Sequence, residues 1–338
     1  QGLCSSYCLV LTCHTNPCLQ HPILEKGACP LMSNLKIANH NPGRKLFSSK
    51  IATVVVWVTT VIWTVPTLGL LVTSFKGDKD IVNEPWWVSL FNPKFTLSSY
   101  KGVLFGGDSE SLSTGILPYF INSIVITLPA TIFPIVIATM AAYALAWIRF
   151  RGSDFIFFFI FALQIVPLQM SLIPLLLLFT GGAHIGSVTV FPALGIAGDF
   201  AGIWLPHTMF ALPLAIYLLH NFIASLPRDL MEAAHVDGAN HFKVFRMIVL
   251  PLSIPGIAAI AIFQFLWVWN DLLVALTFAS GTEEVAPINS KLASLVGQYG
   301  SGYTQLSAGA FITIAVPLIV FFSLQRYFVR GLLAGSVK

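Results

Sequence analysis

The sequence predicts an all-α polytopic membrane protein with six transmembrane helices. Three observations carry this. Of 338 residues, 9% are charged and 56% hydrophobic, whereas soluble chains carry about 25% charge. The mean hydropathy is +0.81, and six apolar stretches are long enough to cross about 30 Å of hydrocarbon at about 1.5 Å per residue. The density of Leu, Ile, Val and Phe excludes disorder for most of the length. A net charge of +4 spread over loops excludes nucleic acid as a partner, since that needs a clustered basic face.

The stretches run over 51–75, 119–148, 155–179, 200–223, 255–279 and 307–329. The first is too long for a signal-peptide core and is followed by no small-residue cleavage pattern, so it is read as a retained span. Pro66, Pro129, Pro134, Pro167, Pro174, Pro206, Pro213 and Pro317 fall inside spans. Bilayer helices tolerate proline where neighbouring helices satisfy the freed carbonyls, so bent, mutually packed helices are expected. Lys and Arg divide unevenly. The N-terminal segment, 149–154, 224–250 and the C-terminal tail hold 13, and the alternate loops 5. The positive-inside rule then places both termini in the cytoplasm, as an even number of crossings requires. Loop 76–118, with Glu84-Pro85-Trp86-Trp87, lies outside, its tryptophans serving as interfacial anchors or as a docking face. Residues 180–199 read as a Gly-rich loop with a short apolar re-entrant piece.

All five cysteines lie within the first 29 residues. Their odd number and spacing suit neither closed internal disulfides nor a paired zinc pattern, and the cytoplasm is reducing. Residues 1–46 are expected to form a disordered cytoplasmic extension, and 1–31 to precede a natural start at Met32. Residues 47–338 are expected to form the transmembrane domain, with loop 224–250 on its cytoplasmic face.

The segment Leu226 to Gly256 is too polar to span and too patterned for a plain connector. Pro227 suits a first helical position, and Asp229 and Glu232 favour the positive end of the helix dipole. Leu230, Met231, Ala233, Ala234 and Val236 form its apolar surface. Gly238 ends this helix in a left-handed conformation. Asn240 caps a second helix, His241 to Leu250, before Pro251 and Pro255 break or bend the chain. The pattern predicts a helix, a tight glycine turn and a second helix on the cytoplasmic face, where small residues let a partner approach. A helix lying in the lipid interface is the competing reading.

Glu232-Ala233-Ala234-x-x-Asp237-Gly238-Ala239, followed by Ile248-x-Leu250-Pro251, resembles the EAA loop of binding-protein-dependent ABC importer permeases. Asn122-Ser123, Ala141-Ala142-Tyr143-Ala144-Leu145-Ala146 with Phe150-Arg151-Gly152, Trp269-Asn270-Asp271 and Gln325 to Leu332 resemble the carbohydrate branch, in its maltose-permease G-type subunit. The resemblance covers residues 47–338. Trp147 departs from it, standing where relatives have a basic or small residue. The resemblance implies a type I (MetI-like) importer permease fold in the bacterial inner membrane. It further implies one of two non-identical permease subunits, an ATPase dimer binding ATP and magnesium, an extracytoplasmic solute-binding protein and a sugar substrate. Residues Arg228, Glu232, Ala233, Ala234, Asp237, Gly238 and Ala239 would couple to the ATPase, with Glu232 facing its cleft. Arg330 and Gly331 of the tail would also reach it. No G-x-x-x-x-G-K-[ST] cradle for phosphates occurs, so no ATP hydrolysis and no cofactor are expected on this chain itself.

Asp271 is the acid inside a predicted span, and such a group should face water or the bundle interior. With Asn270 it would line or gate the pathway; alternatively it forms an interhelical hydrogen-bonded clamp. Asn122 and Trp267 are further pathway candidates, and Trp267 and Trp269 point to different faces. Asn122 equally suits interhelical hydrogen bonding, as do Gln164, Gln169 and Gln264. His207 and His220 are read as satisfied or interfacial. A proton-coupled secondary transporter is the alternative function, weakened because Asp271 has no basic partner nearby in sequence. An acid–base or metal site at His235, Asp237 and His241 matches no known spacing. Mass spectrometry of the natural protein tests the N-terminal reading: a chain beginning at Met32 is expected, and a mature start before it contradicts the assignment.

Overall fold

The computed structural model describes residues 50–106, 115–148, 150–279, 283–295 and 303–336; the cysteine-rich segment lies outside them. The chain divides at Thr60, and the described part of the first unit is the opening of α1. Helix α1 runs Lys50–Ser74 and continues through Pro66. In the second unit, short helices α2 (Asp78–Asn83) and α3 (Ser98–Phe105) flank a 3-10 turn at Trp86–Leu90. Helix α4 spans Leu117–Trp147. Helices α5 (Ser153–Leu163) and α6 (Leu168–Gly181) precede strands β1 (Ala183–Ile185) and β2 (Val188–Phe191). Then follow α7 (Phe200–Ala224), α8 (Arg228–Val236), α9 (His241–Asn270), α10 (Leu273–Phe278), α11 (Ile288–Ser294) and α12 (Tyr303–Ser336).

Among the described residues, α1, α4, α7, α9 and α12 are each long and apolar enough to cross a membrane. The third crossing departs from the expected single rod over 155–179. It is α5 and α6, bent by 100° at a break of a few residues. Pro167 explains the break. It has no N–H to donate and disfavours helical geometry at Val166, and its own ψ of 127° is extended. Elsewhere proline does not interrupt: α4 runs through Pro129 and Pro134, and α7 through Pro206 and Pro213.

The fifth crossing also departs from its predicted bounds. It begins at His241, not 255, and ends at Asn270 instead of 279. Pro251 and Pro255 do not break it. A wide π turn over Phe245–Val249 precedes Pro251, and widening the helix there relieves the clash between a proline ring and the carbonyl one turn back. Residues 180–199 contain an antiparallel hairpin turning at Gly186, which has φ +62°, where a re-entrant apolar piece is predicted.

Helices α4 and α7 pack along their lengths, and α9 lies against both and against α12. One apolar core joins Ile126 and Ala130 of α4 to Phe179, Ile203, Val268 and Phe278. A second joins Ala138, Ala142 and Tyr143 to Leu219, Ile223, Met231, Ala234 and Val249. A third, around Val103, Tyr119, Ile288 and Ala308, closes the opposite end of α4. At Gly202 a Cβ would stand 2.1 Å from the Ile196 carbonyl oxygen, a backbone contact that cannot rotate away. Gly202→Ala is therefore expected to destabilise the fold by about 1–3 kcal/mol, read as a lowered thermal midpoint in detergent. An unchanged midpoint contradicts the packing described.

Candidate functional site

The segment 226–256 folds as two helices joined by a glycine turn. Helix α8 begins at Arg228 with Pro227 just before it, one position earlier than predicted for the proline. Its end is a Schellman motif: the Gly238 N–H donates to the His235 carbonyl and the Ala239 N–H to that of Ala234. Gly238 has φ +77°, which L side chains adopt only at a cost. Asn240 caps α9, its Oδ1 accepting from the Lys243 N–H at 2.9 Å.

The apolar residues of α8 do not share one surface. Met231 and Ala234, three apart, are buried against the helix bundle at 3% and 8% exposure. Leu230, Ala233 and Val236 face outward with Glu232 and Asp237, and Val236 is 87% exposed. The small residue that lets helices approach closely is therefore Ala234 toward this chain's own bundle, whereas Ala233 is open to a partner. Arg228 and Glu232, one turn apart, line a cleft of about 330 Å³ with Tyr143, Trp147 and His235.

The module is lashed to the bundle by polar side chains. The Tyr143 hydroxyl lies 3.2 Å from His241 Nδ1 and donates to the His241 carbonyl at 3.3 Å, and its ring packs 5.2 Å from Phe245. Trp147 Nε1–H donates to the Ile223 carbonyl at 3.2 Å, joining the ends of α4 and α7. In the sequence Tyr143 stands out only through the resemblance. Its signal is a polar ring in the run Ala141 to Ala146, otherwise composed of Ala and Leu. His235 and His241 stack edge to face at 5.2 Å, but His235 Nδ1 is taken by the Ala239 carbonyl at 3.1 Å. No group of three His, Cys, Asp or Glu suited to a metal gathers among the described residues. Arg330 and Gly331 lie on α12, and their side chains fall outside the described residues.

A cavity of about 1370 Å³, open on one side, is lined chiefly by apolar groups of α5, α6, α7 and α9. Gln164 and Pro167 at the α5/α6 break, Gln169, Gln264, Trp267 and Asp271 also stand on its wall. Trp267 and Trp269 do point apart. Trp269 is 2% exposed, with its Nε1–H on the Thr313 carbonyl at 3.2 Å. Gln264 bridges helices, donating to the Ala130 carbonyl at 3.2 Å. Asn270 turns back on α9, donating to the Leu266 carbonyl at 2.7 Å. Asn122 donates to the carbonyls of Glu284 and Ala286 at 2.9 and 3.1 Å. Those two pathway candidates are thus engaged with backbone, while Trp267 and Asp271 meet the cavity.

Asp271 is placed at a break between helices, not midway along a rod. Its Oδ2 accepts from the Val274 N–H at 2.9 Å, capping α10. It also has a partner that spacing along the chain cannot reveal, since His207 Nε2 of α7 lies 3.8 Å away. His207 and His220, read from the sequence as satisfied or interfacial, are satisfied only in part. In both, Nδ1 is buried with no hydrogen-bond partner among the described residues. No sequence signal locates the Asp271–His207 contact, because the two residues are 64 apart and on different helices.

Residues 134–333 match the family described as binding-protein-dependent transport system inner membrane component. The osmoprotective compounds uptake permease protein GgtD of Synechocystis sp. is 50% identical over 281 residues, 82% of this chain and 88% of that protein. The alpha-glucoside transport system permease protein AglG of Rhizobium meliloti is 52% identical over 247 residues, 73% of this chain and 61% of that protein. In fold, the chain is similar to a chain of a bacterial ABC transporter involved in the import of the acidic polysaccharide alginate. The TM-score is 0.61 at 19% identity, covering 83% of this chain and 98% of that one. With more than half its length matched and helices arranged as in a solved importer, the chain belongs to the binding-protein-dependent transport system inner membrane components.

Proposed function

We propose that the chain is one of two membrane subunits of an ATP-driven importer of sugars or small glycosides, with both termini in the cytoplasm. The observation that carries this is the α8–Gly238–α9 module. One face of α8 is sealed into the bundle by Met231 and Ala234, and the other presents Leu230, Glu232, Ala233 and Val236 to a partner. A helix held this way transmits a push. Force on its outer face passes through the Schellman turn into α9, which runs unbroken from His241 to the cavity at Trp267. The partner that pushes is an ATPase dimer that holds ATP and magnesium, and α8 occupies a cleft on it.

The cavity forms this chain's share of the pathway, and a second, non-identical permease completes it. A solute-binding protein delivers sugar from outside. Names of relatives support the substrate class: AglG is named for alpha-glucoside transport and is 52% identical. ATP shifts the bundle between inward- and outward-open packings only as far as the partner binds those states differently.

The Asp271–His207 contact at 3.8 Å gives the proton-coupled alternative the acid–base pair it lacks in sequence, so it is tested directly. With cellular ATP maintained, collapse of the proton gradient is expected to leave uptake unchanged. Loss of uptake in parallel with the gradient sinks the ATP-driven reading. Coupling is tested at the turn. Gly238→Val forces a β-branched residue to φ +77°, at a cost of about 1–2 kcal/mol. ATP hydrolysis by the assembled transporter is expected to persist while sugar uptake falls at least tenfold. Gly238→Asn, which tolerates this conformation, should retain most uptake. Normal uptake in the valine variant argues against coupling through this turn.

A further inference from the structure

The break between α9 and α10 is held by a residue from elsewhere in the chain. Helix α9 ends at Asn270, which leaves its last carbonyls without partners in the next turn. Asn289, on the first turn of α11, donates its Nδ2 to the Trp269 carbonyl at 2.7 Å and reaches the Asp271 carbonyl at 3.4 Å. The Asp271 carboxylate faces the other way, capping α10 and standing on the cavity wall.

Helix α11 is itself fixed to α4. The Ile288 N–H donates to Ser123 Oγ at 2.8 Å, Asn122 holds the carbonyls of Glu284 and Ala286, and Lys291 Nζ sits 5.1 Å above the Tyr119 ring. Segment 283–295 lies on the side that the charge distribution assigns to the outside. A short chain of bonds thus runs from an outer segment to the acid on the cavity wall.

We propose that Asn289 is a positioning residue. By holding the carbonyls at the break, it sets the angle at which Asp271 and α10 meet the cavity. Movement of the outer segment, as when an external binding protein docks, then re-aims the Asp271 carboxylate. This rests on the import function proposed above.

Any donor would satisfy a carbonyl at a helix end. An amide borne by a separately anchored helix couples that carbonyl to the anchor, and this distinguishes positioning from simple satisfaction. Side-chain pairs that act through one another also give non-additive effects.

The test uses the complete transporter in vesicles, with its binding protein loaded with maltose or trehalose, whichever it retains. Four variants are compared: Asn289→Leu, the milder Asn289→Ser, Asp271→Asn, and the double change Asn289→Leu with Asp271→Asn. Asn289→Leu is expected to lower binding-protein-stimulated ATP hydrolysis and uptake about fivefold, as loss of one hydrogen bond allows, with unstimulated hydrolysis unchanged. The double variant should be no worse than Asp271→Asn alone. If Asn289→Leu does not assemble, Asn289→Ser is read by the same criterion, singly and combined with Asp271→Asn.

Effects that multiply in the double variant, or wild-type stimulation in both Asn289 variants, overturn the proposal. A wild-type complex that no binding protein stimulates overturns the import reading, and this inference with it. A responsive wild type with multiplying variants overturns the inference alone.

Discussion

In hydrocarbon, a backbone carbonyl or N–H without a partner costs several kcal/mol, and no water is at hand to supply one. A straight helix meets this condition unaided; a broken one does not. Each interruption in this chain therefore has to be closed by local turns or by side chains. At the α9/α10 break the stitches are Asp271 Oδ2 on the Val274 N–H and Asn289 Nδ2 on the Trp269 carbonyl. At the far end of α10, the Gly198 N–H takes the Phe278 carbonyl at 2.8 Å. The 180–199 connection is fixed to α6 as well, through the Leu194 N–H on the Phe179 carbonyl.

The α8–Gly238–α9 module obeys the same rule at one end of the bundle. Its Schellman turn satisfies the carbonyls of α8 from within, so the helix end needs no partner and stays free to receive one. Tyr143 and Trp147 supply the stitches on the membrane side, at His241 and Ile223. The result is a stiff attachment whose outer surface is unspecialised except for Arg228, Glu232 and a strip of small and medium apolar groups. Stiffness on one face with openness on the other is what a transmitting element requires, because a compliant joint would absorb the displacement it should pass on.

What the sequence made legible follows from locality. The Gly238 turn and the Asn240 cap depend on residues a few positions apart, and both stand as expected. The apolar surface of α8 was misread because counting apolar residues ignores angle: Met231 and Ala234 share a face, and Leu230, Ala233 and Val236 point away from it. Pro251 was misread because its effect depends on the turn before it, where a π segment absorbs the ring. Pro167 broke the third crossing, whereas Pro129, Pro134, Pro206 and Pro213 did not break theirs. The contacts of Asp271 with His207 and of Asn289 with Trp269 were invisible, since nothing in a linear spacing reports which helices become neighbours.

The two breaks in the crossings share a location. Gln164 to Pro167 and Asp271 both lie on the wall of the same cavity. A bundle of intact rods can change its packing only by sliding or tilting whole helices, at the cost of its interlocked cores. A bundle whose rods are interrupted at the cavity can rotate short pieces there. The cores around Ala138 and Leu219 and around Tyr119 and Ile288 need not be disturbed by such a rotation. The stitches that satisfy the breaks are single hydrogen bonds, each worth about 0.5–1.5 kcal/mol net. They are strong enough to define a resting geometry and weak enough to be exchanged during a transport cycle.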